Sequence, residues 1–181
     1  MSTGKRLCVF CGSAAPAAPR YRAAAVTLGT LIGQSGIELI YGGGRIGLMG
    51  LLADAALASG ARVIGVIPTG LHDREVGHAG LSEMVVVEDM QERKRRMFEL
   101  ADAVAVLPGG LGTLDEAFEA ITLRQLGLLD KPIVLLDIDH YWAPLLALVD
   151  HVIAAGFARP EARKLYQVVA RVEDLLPACF G

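Results

Sequence analysis

The chain has 181 residues, a formal charge of −3 at pH 7, a pI near 5.8 and a mean hydropathy of +0.46, with 53% of its residues apolar. The acidic balance argues against a nucleic-acid binder, and no apolar run approaches the roughly 18 residues that cross a bilayer, so no membrane association is expected. The length suits a single domain over 1–181, and so high an apolar fraction points to an oligomer interface, most simply that of a homodimer.

The segment Met1 to Arg6 runs straight into a strand with no pattern of a cleavable signal, so a cytoplasmic location is expected. Leu7–Phe10 is the first expected strand. Cys8 and Cys11 have C-x-x-C spacing, but they flank Val9-Phe10 in this apolar run rather than heading a helix, and read as two small buried hydrophobes. His72, His78, His140 and His151 show no ligand spacing with the cysteines or with each other. They read as surface or loop residues, and no metal is expected.

Tyr21–Ser35 has a helical pattern and Ile37–Tyr41 a strand pattern, followed by the turn Gly42-Gly43-Gly44-Arg45-Ile46-Gly47 and a second helix, Leu48–Ala58. The turn formally matches G-x-G-x-x-G. A nicotinamide dinucleotide site wants an acidic residue about 20 positions on, to hold the ribose. The next strand, Arg62 to Thr69, offers none, so a dinucleotide is not expected. Arg45 is either a phosphate ligand or an exposed turn residue. Tyr41 and Met49 flank the turn and read as core.

Gly70 to Gly80 is a crowded irregular segment, either a lid or a solvated loop. After a strand at Met84–Val87, the helix Met90–Leu100 carries Arg93-Lys94-Arg95-Arg96 beside an apolar stripe of Met90, Met97 and Leu100 or Ala101. Arg95 and Arg96 read as a solvated face. Arg93 lies three residues from Met90, at the edge of the stripe, where a guanidinium can bind phosphate bidentately or stabilise charge on a departing group.

The apolar strand Ala103–Leu107 then leads into Pro108-Gly109-Gly110-Leu111-Gly112-Thr113-Leu114-Asp115-Glu116 and a helix reaching Leu126. Glycines at a strand-to-helix turn let the backbone approach a ligand closely, and the unpaired N–H groups of the first helical turn attract an anion. Thr113 and Glu116 also fit a capping box, which would make Glu116 structural. Glu116, Glu119 and Leu123 share one side of the helix, which brings a second carboxylate within reach of the first. Asp115 reads as a favourable charge in the first helical turn. A strand at Ile133–Leu136, a helix at Trp142–Ala155, a strand at Tyr166–Ala170 and a helix at Val172–Cys179 complete the chain. This alternation implies an α/β fold built on a doubly wound parallel sheet, with both glycine turns beyond the carboxyl ends of their strands and facing one crevice.

Together, Cys8-Val9-Phe10-Cys11-Gly12-Ser13, Tyr41-Gly42-Gly43-Gly44 with Gly47-Leu48-Met49-Gly50, Met90 with Arg93-Lys94, and the motif P-G-G-x-G-T-x-x-E from Pro108 to Glu116 resemble the LOG family of cytokinin riboside 5′-monophosphate phosphoribohydrolases. The resemblance runs from about Leu7 to Asp150. It implies a Rossmann-like fold, usually a homodimer, with no metal or organic cofactor. The implied activity is hydrolysis of the N-glycosidic bond of a nucleoside 5′-monophosphate, commonly an N6-modified adenosine monophosphate or AMP itself. It further implies Arg93 and Glu116 as the catalytic pair. Ser13, Gly43, Gly44, Glu75, Lys94, Gly109, Gly110, Leu111, Gly112, Thr113, Leu114, Asp115 and Thr122 are implied to line the nucleotide site. Gln91, Ala14 and Leu123 depart from the family's usual histidine, serine and tryptophan. The Leu123 change, next to Thr122, bears on the shape of the site and the preferred base.

Two rival functions fit parts of the pattern. A lysine decarboxylase, a label such sequences have often carried, would use pyridoxal phosphate on a lysine. Of Lys5, Lys94, Lys131 and Lys164, only Lys94 is near the expected site, and this reading is not adopted. A non-catalytic nucleotide or cofactor carrier of the same fold would need the phosphate loops but not a carboxylate at the sugar, so the presence of both Arg93 and Glu116 favours an enzyme.

Overall fold

The computed structural model describes residues 4–14, 18–72 and 77–181. Strands β1 (Arg6–Phe10), β2 (Glu38–Tyr41), β3 (Val63–Pro68), β4 (Glu83–Val87), β5 (Ala103–Val106), β6 (Ile133–Leu136) and β7 (Gln167–Val169) form one sheet. Its order is β4, β3, β2, β1, β5, β6, β7, and every neighbouring pair is parallel. The helices are α1 (Pro19–Gln34), α2 (Gly47–Ala58), α3 (Thr69–His72), α4 (Met90–Leu100), α5 (Leu111–Gln125), α6 (Ala143–Ala154) and α7 (Leu175–Phe180).

A parallel sheet is covered on both faces, which is why its central strands are apolar without interruption. Side chains alternate across it. Leu7, Val9, Ala103 and Ala105 pack with α1, α2 and α7 on one face. Cys8, Phe10, Val104 and Val106 pack with α4, α5 and α6 on the other. This is the α/β, Rossmann-like, doubly wound arrangement expected from the sequence. Cys8 and Cys11, three residues apart, fall on opposite faces as free buried thiols.

From β1 the chain winds outward to β4, then returns to place β5 against the other side of β1. The carboxyl ends of β1 and β5 therefore bound the switch-point crevice where open α/β sheets bind ligands. Glu75 and the middle of the expected lid lie outside the described residues. The part that follows is fastened down: Gly77 bridges Gly44, and the His78 N–H donates to the Gly43 carbonyl at 3.1 Å. His78 is a loop residue, as expected, but a half-buried one. Its Nε2 lies 2.8 Å from Asp54 on α2, and its side chain is largely covered. No described helix is long and apolar enough to cross a membrane.

Candidate active site

At the switch point a cavity of about 210 Å³ opens between the end of β1, the first glycine turn, α4 and the start of α5. Its floor is Val9, Phe10 and Cys11, and burial raises the Cys11 thiol well above its ordinary pKa, so the floor is uncharged.

The start of α5 decides how Glu116 is read. The helix begins at Leu111, with Gly110 as its N-cap and no side-chain cap, so Thr113 is the third helical residue. The capping box is therefore overturned, because the glycines let the helix start three residues earlier than Leu114. Asp115 is likewise past the first turn and is not the dipole-complementing charge expected there. Gly110, Leu111, Gly112 and Thr113 present the uncapped end of a 15-residue helix to the cavity. Such an end carries unpaired N–H groups and partial positive charge. Gly109 makes the turn possible, since a Cβ there would land on Thr113 Oγ1 and lie 2.8 Å from the Gly12 nitrogen.

One and a half turns along α5, Glu116 lines the same cavity at 8% exposure. Burial pushes its carboxyl up to about 7. The Arg93 and Lys94 cations oppose that rise, while the neighbouring Asp115 and Glu119 carboxylates add to it. A group poised near neutrality in a small cavity suits acid–base or charge-stabilising work.

Arg93 faces the cavity from α4, which starts where Asp89 accepts the Glu92 N–H at 2.8 Å and Glu92 accepts the Glu88 N–H at 2.8 Å. The guanidinium is buried. Its Nε donates to the Val66 carbonyl at 3.0 Å and Nη2 to the Gly42 carbonyl at 3.1 Å, which pins it across the ends of β3 and β2. With Nη1 beside Met90 Sδ at 3.7 Å, donors remain for the cavity. Gly42 leaves no room for a side chain, because its Cβ would fall on Arg93 Nη2. Gly42→Ala is accordingly expected to displace the guanidinium and lower kcat/KM for the hydrolysis that the sequence resemblance implies by about tenfold or more, with near-native circular dichroism. Steady-state kinetics beside a melting curve checks this.

Lys94 is placed differently. It is 3% exposed, and its ammonium contacts Asp115 at 2.8 Å and also Glu119, bridging α4 to α5 behind the cavity wall. Asp115 faces the cavity and Lys94 does not. The reach of Glu119 towards Glu116 is used to hold this cation.

Of the remaining sequence-derived residues, Ser13 lines the cavity. Gly43, Gly44, Gly109 and Leu114 lie outside its lining. Thr122 is exposed farther along α5, and Arg45 is exposed and away from the cavity. Arg95 and Arg96 are exposed as expected, the latter paired with Glu99 at 3.2 Å. Met49, read as core, is buried but also forms part of the wall, as does Met90. Tyr141, unremarked in the sequence, donates its hydroxyl to the Gly109 carbonyl from the loop after β6. No local pattern marks it, since it meets the glycine turn across 32 positions of chain. Among the described residues no cluster of three or more His, Cys, Asp or Glu side chains is arranged to hold a metal.

Residues 49–179 match the family model described as possible lysine decarboxylase. A probable cytokinin riboside 5′-monophosphate phosphoribohydrolase of Oryza sativa subsp. japonica is 46% identical, over 94% of this chain and 77% of that one. The cytokinin riboside 5′-monophosphate phosphoribohydrolase of Rhodococcoides fascians is 44% identical, over 97% of this chain and 89% of that one. Among solved structures, the molybdenum cofactor binding protein of Rippkaea orientalis superposes with a TM-score of 0.73 at 22% identity, covering 97% and 96% of the two chains. That likeness is one of fold.

Proposed function

The chain belongs to the LOG family of cytokinin riboside 5′-monophosphate phosphoribohydrolases, and from that premise we propose that it hydrolyses the N-glycosidic bond of adenosine 5′-monophosphates, with or without an N6 substituent, to the free base and ribose 5-phosphate. The observation that carries this is one cavity holding both the uncapped end of α5 and the buried Glu116. At 1.5 Å per residue the two are about 7.5 Å apart along the helix, roughly the span of a ribose phosphate. The phosphate lies on the first-turn N–H groups and the sugar C1′ lies over Glu116.

Water adds to C1′ as the C1′–N9 bond breaks, and the base leaves with the proton that water gives up. Positive charge builds on the sugar in such a transition state. The Glu116 carboxylate stabilises it and orients the water, and Arg93 faces the departing base, whose growing negative charge it offsets. A carrier would need only the first-turn N–H groups, so the relatives' names and the buried carboxylate together favour the enzyme. Lysine decarboxylation does not fit. It needs an amine free to condense with pyridoxal phosphate, and Lys94 is held between two carboxylates.

The direct test is chromatography of incubations with AMP and with N6-isopentenyladenosine 5′-monophosphate. Free base from both is expected, and their rate ratio reports the preference of the base pocket. No base from either, with binding verified, would overturn the enzyme.

A homodimer is part of this reading. Leu111, Phe118, Leu126 and Leu128 are exposed on or just after α5, and a second copy covering them accounts for the chain's high hydropathy. Sedimentation is expected to give twice 19.1 kDa, and Phe118→Glu to shift it towards the monomer. A monomeric native protein would remove the proposal. A reducing cytoplasm accords with three free buried cysteines.

A further inference from the structure

The loop between β6 and α6 is strained. Asp139 and His140 both have left-handed backbones, with φ of 53° and 59°, a conformation that residues bearing a β-carbon adopt only against steric resistance. The surroundings hold it there. Asp137 accepts the Trp142 N–H at 2.7 Å, Arg20 of α1 meets Asp139 at 3.0 Å, and the Tyr141 ring lies edge-on to both Tyr21 and Trp142. The outcome is the placement of one hydroxyl: Tyr141 OH sits 2.5 Å from the Gly109 carbonyl oxygen.

In a trans peptide the C=O of Gly109 and the N–H of Gly110 point in opposite directions. Tyr141, Tyr21 and Gly109 line a second cavity, whereas Gly110 lines both it and the cavity that contains Glu116, so a carbonyl fixed towards Tyr141 leaves the Gly110 N–H to face away from the tyrosine, towards the Glu116 cavity. That N–H has no protein acceptor among the described residues. We propose that Tyr141 is a positioning residue for the substrate's phosphate, its hydroxyl holding the Gly109 carbonyl and thereby aiming the Gly110 N–H at the anion. A hydrogen bond to the carbonyl also polarises the amide and strengthens its N–H as a donor. Without the hydroxyl, the Gly109–Gly110 peptide, with no side chain on either residue, is free to rotate away. Tyr141 touches no substrate atom in this role.

The inference rests on the phosphate site assigned above. Its test is isothermal titration of wild type, Tyr141→Phe and Tyr21→Phe with inorganic phosphate, ribose 5-phosphate and adenine. Tyr141→Phe keeps the ring and its edge-on contacts, so the fold is retained. It is expected to weaken phosphate and ribose 5-phosphate by about three- to tenfold, the range for one lost hydrogen bond, with adenine within twofold. Tyr21→Phe, losing a hydroxyl in the same cavity, is expected to change none of them. Unchanged phosphate affinity in Tyr141→Phe overturns the proposal, and so does equal weakening of adenine, which marks a merely structural role. If wild type releases no base from AMP but the phosphate loss in Tyr141→Phe persists, the hydrolase reading fails and the positioning role stands. If wild type binds neither phosphate nor ribose 5-phosphate, both fall.

Discussion

Glu116→Gln is expected to lower turnover on AMP by about 10²-fold or more while leaving AMP affinity within about tenfold. The substitution keeps the size and much of the hydrogen bonding of the side chain but removes the charge that the sugar cation requires. Wild-type turnover is expected to rise with pH through about 7, where burial has placed the carboxyl, and the residual activity of the variant to lose that rise. Stability runs the opposite way. The folded carboxyl titrates above its unfolded value, so the native state holds its proton over a range in which the unfolded chain has released it. The contribution of this one group to stability is therefore full below about pH 4 and is lost as pH rises through about 7. Glu116→Gln removes that penalty, and the variant is expected to melt above wild type at pH 8 by an amount on the order of 2 kcal/mol, with little difference at pH 4.5. Paired pH–rate and melting series check both signs. An early-melting variant whose folded fraction cleaves AMP normally would make the carboxylate structural.

Arg93→Ala is expected to damage binding and turnover together, by about 10²- to 10³-fold in kcat/KM. Two losses combine. The cation facing the departing base disappears, and the Val66 and Gly42 carbonyls lose their shared donor, which loosens the wall where the first glycine turn meets β3. Arg93→Lys is expected to recover little, because one ammonium on a flexible stem cannot reproduce a planar group that meets two carbonyls and still faces the cavity. Stopped-assay kinetics on AMP for both variants gives the comparison. Native rates in Arg93→Ala would remove the residue from the site.

How much was legible in the sequence followed the range of the interactions involved. The uninterrupted apolar runs revealed a sheet covered on both faces, and the alternation with helical patterns revealed its parallel order, because both are local consequences of burial. The motif residues Arg93 and Glu116 lie within a few positions of the apolar stripes that bury them. The start of α5 was misplaced by three residues because Gly110 caps by backbone freedom alone, and Thr113 imitates a cap it does not make. The partners of Lys94 lie 21 and 25 positions away on another helix, so its enclosure appears only once α4 and α5 are packed. The same distance in sequence hid Met49 as wall, His78 against Asp54, and Tyr141 behind the glycine turn.

The enclosure of Lys94 has a kinetic meaning. With that ammonium neutralised, Arg93 is the one cation in the lining among the described residues, and it stands with the Asp115 and Glu116 carboxylates in an acidic chain, so a doubly charged phosphate meets chiefly fixed backbone dipoles. Long-range attraction, the part of recognition that dissolved ions screen, contributes little to such an encounter. Substrate capture then depends on short-range fit, and its rate stays nearly level as ionic strength rises.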